Sequence, residues 1–256
     1  MKDKMDIVRN WLPRYTDCPL KDFGPYILLT NFDEYVDKFA EWNNVPVTGR
    51  TRPMRTATAG EITIINFGMG SANAATIMDL LSGIPTAAVL FLGKCGGLKK
   101  VNALGDLILP IAAIRGEGTS NDYAPPEIPA LPAFALQKAI SRTIREHARD
   151  YWTGSIYTTN RRVWEHDNEF KDYLERNRIM GIDMETATIF TVGFHNHITV
   201  GALLLVSDQP MTPEGVKTEH SDRIVTEQYV DDHLRIGIAS LRQLIEKGET
   251  VRHLKF

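Results

Sequence analysis

Cysteine is scarce in this chain: two in 256 residues, Cys18 and Cys95, far apart and in unlike surroundings. Such a pair forms no disulfide framework, and both are expected to be free thiols. Long apolar runs are also missing, and a helix needs about 20 such residues to cross a bilayer. The start, Met1-Lys2-Asp3-Lys4-Met5-Asp6, mixes both charge signs and leads into no signal region, so the expected location is cytoplasmic. A net charge of -3 supplies no general field for nucleic acid, so an anionic partner must be held by local groups. The Gly-x-Gly-x-x-Gly spacing of a dinucleotide site and the Gly-Lys-Ser/Thr ending of a P-loop are both lacking. His195-Asn196-His197 has no further ligand at a recognised spacing and reads as a turn, so neither a metal nor a cofactor is expected.

What is present is ordinary globular material, 43% hydrophobic and 24% charged, which is enough to bury one core. The expected organisation is one domain over 1–256, with 1–25 as an N-terminal extension. Tyr26 to Thr30 reads as a buried strand, followed by a helix capped at Asn31 with Phe32, Tyr35, Val36, Phe39 and Trp42 at helical spacing. Residues 43–55 break the pattern. Further strands are predicted over 62–67, 87–92, 107–114, 154–158 and 199–206, and helices over 73–81, 134–147, 185–194 and 223–246. The alternation predicts an α/β domain with helices on both faces of a parallel or mixed sheet. Lys247, Arg252, His253 and Lys255 read as a solvated end.

Ligands of such sheets gather at the carboxyl ends of strands, where two glycine-rich segments fall. Gly68-Met69-Gly70-Ser71 opens a helix, whose free amides and dipole favour an anion. Gly93-Lys94-Cys95-Gly96-Gly97 follows the third predicted strand as a second loop. Either could equally be a tight turn. Read from its neighbours alone, Asp208 in Ser207-Asp208-Gln209-Pro210 is a turn aspartate, and Glu185 is a carboxylate complementing a helix N-terminus. Trp164 is either a core anchor or a surface for stacking on a base.

Taken in order, Gly68-Met69-Gly70, Gly-x-Cys-Gly-Gly at 93–97, Arg115-Gly116-Glu117-Gly118-Thr119-Ser120, Asp183-Met184-Glu185-Thr186-Ala187 and Val206-Ser207-Asp208 resemble the nucleoside phosphorylase superfamily. Within it, the stretch 26–211 is most similar to the catalytic domain of the AMP nucleosidase branch. The resemblance implies a single α/β domain with a central mixed, partly closed sheet. It implies that Met184 and Glu185 lie under the ribose, with Glu185 accepting its hydroxyls, and that Asp208, beside Ser207, protonates N7 of the departing purine. Both roles suit the chemistry: the bond breaks through a cationic sugar, and a purine leaves readily only once protonated.

The same resemblance leads to hydrolysis of AMP, or of a close purine nucleotide, to adenine and ribose 5-phosphate. Phosphorolysis of a nucleoside and a non-catalytic nucleotide-binding module are the alternatives. Lys94 stands where the phosphorylases usually carry Ser or Thr, which counts against phosphate as the nucleophile. Inorganic phosphate stays a candidate partner. The expected substrate contacts are Gly68, Met69, Gly70, Lys94, Cys95 and Gly96; Arg52, Arg55 and Arg115 for a 5'-phosphate; and Asn160, Trp164 or Glu165 for the base. Arg161-Arg162-Val163-Trp164-Glu165 also resembles the nucleosidase branch. Family members assemble as hexamers of dimers, which implies a homo-oligomer in which Arg52 or Arg55 could act on a neighbour's site. The chain is expected to begin close to the catalytic domain, without the N-terminal regulatory region of the longer bacterial enzymes.

Overall fold

The computed structural model describes residues 3–247, so Arg252, His253 and Lys255 lie outside it. In chain order its elements are α1 (Lys4–Thr16), β1 (Tyr26–Thr30), α2 (Asp33–Asn43), β2 (Arg55–Ala59), β3 (Ile62–Asn66), α3 (Ser71–Leu81), β4 (Ala88–Gly97) and β5 (Leu107–Gly116). They continue with α4 (Phe134–Glu146), β6 (Trp152–Thr159), α5 (Asn168–Arg176), β7 (Gly181–Asp183), α6 (Thr186–His195), β8 (Val200–Asp208) and α7 (Glu219–Lys247). The expected mixed α/β architecture is observed, with an eight-stranded sheet in the order β2-β3-β1-β4-β7-β6-β5-β8. Because β4 also pairs with β8, the strands from β4 to β8 close into a ring and the others run off it as an open wing.

Alternating burial along β1 explains why helices cover both faces. Ile27 and Leu29 pack with residues of α1, α3 and α6, while Leu28 packs with α2, α4 and α7. A strand buried on both sides reads as a continuous apolar run, which is why β1, β3 and β8 were legible. Four elements were not. β2 is Arg-Thr-Ala-Thr-Ala, an edge strand antiparallel to β3 that carries little apolar signal. α1 lies in the supposed extension and buries only Val8, Leu12 and Thr16. α5 buries Leu174 alone, and β7 is three residues long.

Two local expectations are corrected. The helix α2 is capped at Phe32, one residue past the expected Asn31 and without a side-chain cap hydrogen bond. The second glycine segment is not a loop: 93–97 are the last residues of β4 and continue the ladder to β8, with a bulge between Cys95 and Gly96. Glycine is needed there for space, since a Cβ on Gly97 would sit 2.9 Å from Val206 Cγ1 and one on Gly96 3.1 Å from Ile182 Cγ2. Both cysteines are buried free thiols, and no described helix is long and apolar enough to cross a membrane.

The long α7 is pinned through a buried histidine. His233 Nε2 lies 2.9 Å from the Leu203 carbonyl and must donate to it, so Nδ1 accepts from the Tyr35 hydroxyl, also at 2.9 Å. Burial keeps the ring neutral by lowering its pKa from 6.5 to about 4. Tyr35→Phe should therefore cost about 1–3 kcal/mol, because Nδ1 is left buried without a donor. Denaturant unfolding at neutral pH measures this, and a variant as stable as the parent would contradict the assignment.

Candidate functional site

The ring brings several strand ends to one place. The register sets Gly96 of β4 between Asp208 of β8 on one side and Ile182 of β7 on the other. Strands lie about 4.8 Å apart, so Asp208 and the 182–185 segment face one another across roughly 10 Å, room enough for a sugar and part of a base. β7 runs against β4 but pairs only with its last two residues, which is how its carboxyl end reaches the same rim. The cavity formed there is lined by Asn31, Phe32, Met69, Lys94, Cys95, Gly96, Thr159, Arg161, Arg162, Trp164, Glu165, Ile182, Asp183, Met184, Glu185, Ser207, Asp208 and Lys217.

Glu185 sits at the foot of this cavity, 2% exposed. Its Oε1 accepts from the Gly70 amide at 2.7 Å and its Oε2 from the Met184 amide at 3.3 Å. Gly70 holds a φ of 93°, a conformation that favours glycine, and this aims its amide at the carboxylate. The amide expected to greet a ligand anion is thus engaged by the protein's own carboxylate. Ser71 Oγ donates to the Met184 carbonyl at 2.7 Å and locks the same loop to the Met184-Glu185 turn. Burial, reinforced by the neighbouring Asp183, pushes Glu185 up from 4.5 to about 8.

Asp183 is buried too, yet three donors converge on it: Thr158 Oγ1 at 2.7 Å, the Thr186 amide at 2.8 Å and the Thr186 hydroxyl. Desolvation raises its pKa while these donors oppose the rise. Across the cavity, Asp208 is also raised, chiefly by desolvation, with Ser207 Oγ donating to it at 2.7 Å and with Arg162 and Lys217 acting in the opposite sense. Ser207 Oγ in addition lies 3.4 Å from the Cys95 carbonyl, tying the end of β8 to β4.

The expected residues divide. Met69, Lys94, Cys95, Gly96, Trp164, Met184, Glu185, Ser207 and Asp208 line the cavity; Gly68 and Gly70 shape the loop beside it. Trp164 is 4% exposed and set edge-on to Phe170, so it is both a core anchor and a wall. Lys94 lines the cavity, and its ammonium meets Asp222 at 3.1 Å and Thr226 at 2.9 Å in the first turns of α7 and lies over the Phe32 ring. Asn160 is exposed and outside the cavity.

The three arginines expected near a phosphate lie elsewhere. Arg55 pairs with Asp33 and Asp37, and half-exposed Arg52 lies 4.0 Å from Asp17. Arg115 donates to Ser120, Asn121 and the carbonyls of Ala124, Pro125 and Ile128, organising the proline-rich loop. Besides Lys94, the cations that line the cavity are Arg161, Arg162 and Lys217, paired with Asp167, Glu165 and Asp222 respectively; Asn31 and Phe32, which follow β1, line it too. Arg161 and Arg162 stood within a quoted pattern, but nothing local separates them from surface charges. Lys217 follows the Val206-Ser207-Asp208 motif but belongs to no motif itself.

The phosphorylase superfamily model matches residues 25–246. The chain belongs to the phosphorylase superfamily. Among solved structures it is similar to AMP nucleosidase from Bacteroides thetaiotaomicron, at 55% identity and a TM-score of 0.87 over 96% of this chain and 99% of that one. Uridine phosphorylase from Vibrio fischeri shares the fold, with a TM-score of 0.78 at 24% identity, 87% of this chain and 93% of that one being covered. AMP nucleosidase from Escherichia coli K12 is 28% identical over 95% of this chain. The chain spans 60% of that relative's length. The superfamily assignment agrees with the partly closed sheet and with the order of motifs along it.

A pH-dependent stability term follows from Glu185. An unfolded glutamate titrates near 4.5 and the folded one near 8, so between these values the folded state binds more protons than the unfolded. Folding is therefore progressively destabilised by this group as pH rises through that window. Glu185→Gln keeps the shape and removes the titration, so the variant's Tm minus the parent's should grow from about pH 4.5 to about pH 8 and then level off. A difference that stays flat with pH would refute the assignment.

Proposed function

We propose that this chain hydrolyses the N-glycosidic bond of AMP, or of a close purine nucleotide, giving adenine and ribose 5-phosphate. The observation that carries the reading is the pairing of Glu185 and Asp208 across one cavity, in a chain 55% identical over nearly both full lengths to an AMP nucleosidase. Asp208 acts as the acid. Burial shifts its carboxyl toward the protonated form, and the proton passes to purine N7 as the C1'–N9 bond breaks with its electron pair staying on the base. Glu185 holds the ribose hydroxyls beneath the developing cationic sugar. Water then adds its oxygen to C1' and releases a proton to solvent, from which Asp208 is recharged.

Water is favoured over phosphate as the nucleophile because the one cation of the β4 strand end, Lys94, is committed to α7. Arg161, Arg162 and Lys217 are the candidate partners of the substrate phosphate, and Trp164 and Glu165 those of the base. A single catalytic domain, a cytoplasmic location, a role in nucleotide salvage and a homo-oligomer complete the proposal. In such an assembly Arg52, half exposed, would meet substrate only in a neighbouring copy.

Incubation with AMP and with adenosine, with and without inorganic phosphate, tests the reading through the sugar product. Ribose 5-phosphate formed from AMP without added phosphate is the expected result; ribose 1-phosphate, or no turnover, would overturn it. Asp208→Asn should lower kcat by about two to four orders of magnitude with little change in KM. Undiminished activity in that variant would remove Asp208 as the acid.

A further inference from the structure

The cations that line the cavity, Lys94, Arg161, Arg162 and Lys217, fall into two kinds by what they are paired with. Each arginine has a carboxylate of its own. Arg161 meets Asp167 at 2.7 Å and lies over the Phe170 ring, while Asp167 caps α5 by accepting from the Phe170 amide at 3.0 Å. Arg162 meets Glu165 at 3.3 Å, and the other oxygen of Glu165 accepts from the Trp164 amide at 3.0 Å. The two lysines have one carboxylate between them. Both ammonium groups converge on the same oxygen, Asp222 Oδ1, Lys94 at 3.1 Å and Lys217 at 2.8 Å. This wall therefore carries one positive charge over, and holds two like charges close together.

The lysines differ in what else holds them. The Lys94 side chain is 5% exposed and has the Thr226 hydroxyl at 2.9 Å and the Phe32 ring as further partners, so its ammonium is fixed independently of its share of Asp222. The Lys217 side chain is 23% exposed, lines the cavity and has Asp222 as its one partner among the described residues. Its backbone is held from both sides: the Gln209 amide donates to the Gly215 carbonyl at 2.8 Å, and the Thr218 hydroxyl accepts from the Ser221 amide at 3.1 Å at the start of α7. A turn of the side chain is then enough to carry this charge from Asp222 to a ligand. A phosphate drawn to either arginine would compete with that arginine's own carboxylate and leave it uncompensated; a phosphate at Lys217 leaves Asp222 paired with Lys94.

We propose that Lys217 is the residue that selects a nucleotide by its phosphate, its ammonium passing from Asp222 to the phosphate oxygens as the substrate enters while Asp222 stays with Lys94. The inference rests on the hydrolytic reading given above and narrows it: among the candidate cations the lysine takes the phosphate, while Arg161 serves the start of α5 and Arg162 the Trp164-Glu165 turn. No covalent bond changes in this step. One ion pair is exchanged for another, and the ligand neutralises the charge that the wall carries over. An uncharged nucleoside would leave Lys217 on Asp222 and gain nothing from it.

Calorimetric titration with ribose 5-phosphate and, separately, with adenine tests this without requiring turnover, using Lys217→Gln, Lys217→Arg, Arg161→Gln and Arg162→Gln. Loss of one charged hydrogen bond to phosphate should weaken ribose 5-phosphate binding by about 10- to 100-fold in Lys217→Gln and leave adenine binding unchanged. Lys217→Arg, which keeps the charge, should retain most of the affinity, and each arginine variant should lose about fivefold or less. With AMP as substrate, kcat/KM of Lys217→Gln should fall by a factor similar to the loss of ribose 5-phosphate affinity, mainly through KM. Unchanged ribose 5-phosphate affinity in Lys217→Gln would overturn the inference, as would an equal loss for adenine, the mark of a disrupted cavity, or a loss beyond about fivefold in either arginine variant. A parent that does not turn over AMP overturns the hydrolytic reading itself; a parent that hydrolyses AMP but binds ribose 5-phosphate no better than Lys217→Gln overturns the Lys217 inference alone.

Discussion

The whole arrangement depends on β4 having to serve three neighbours. Its first half lies between β1 and β8, and its last two residues exchange β1 for the antiparallel β7 while β8 continues on the other edge. This change of partner closes the ring. It is possible only because the strand ends in glycine, where side chains would collide with Ile182 from β7 and Val206 from β8. The consequence is chemical as much as architectural. Groups separated in sequence, Asn31, Glu185 and Asp208, arrive at one rim because they follow or end β1, β7 and β8, the three strands that pair with β4.

Closure also determines the electrostatics. The rim withdraws three carboxyl groups from water, and each is compensated differently. Asp183 is surrounded by threonine and backbone donors, which spend its acceptor capacity on holding β6, β7 and α6 together. Glu185 is raised first by burial and then by the charge of Asp183 beside it, against the Gly70 and Met184 amides. Asp208 is raised by burial, against one hydroxyl and the more distant Lys217 and Arg162. On the proposed mechanism, the group that must release a proton lies where cations can stabilise the anion it becomes.

Much of the fold was legible because buried strands announce themselves as apolar runs. The rim was legible because glycine loops and the Met184-Glu185 and Ser207-Asp208 pairs stand at strand ends in a recognisable order. What escaped shares a physical cause. β2, α5 and β7 earn their structure from neighbours rather than from their own periodicity. Charged side chains escaped for a related reason: sequence reports that an arginine is present but not what it touches. Arg115 looked like a phosphate ligand and is instead the hub of a proline-rich loop, while Lys217, unremarked in sequence, reaches the cavity after a turn made by the chain beyond Asp208. Asn31 matched an N-cap by type, but the helix starts one residue later and leaves Asn31 on the cavity wall.

Lys94 shows how a single substitution can alter a site without adding a ligand to it. Its ammonium is buried, which would be unfavourable were it not held by Asp222, Thr226 and the face of Phe32. Those partners lie on α7 and at the end of β1, so the charge is spent on joining two walls of the cavity, and desolvation lowers its pKa without removing the pairing. Asp222 is shared with Lys217, which ties the segment after β8 to the same point at 2.8 Å. A hydroxyl in place of Lys94 would leave Asp222 to Lys217 alone and the β1 wall less firmly attached. Lys94 therefore acts in the structure as a brace, joining the wall that carries Phe32 to the start of α7.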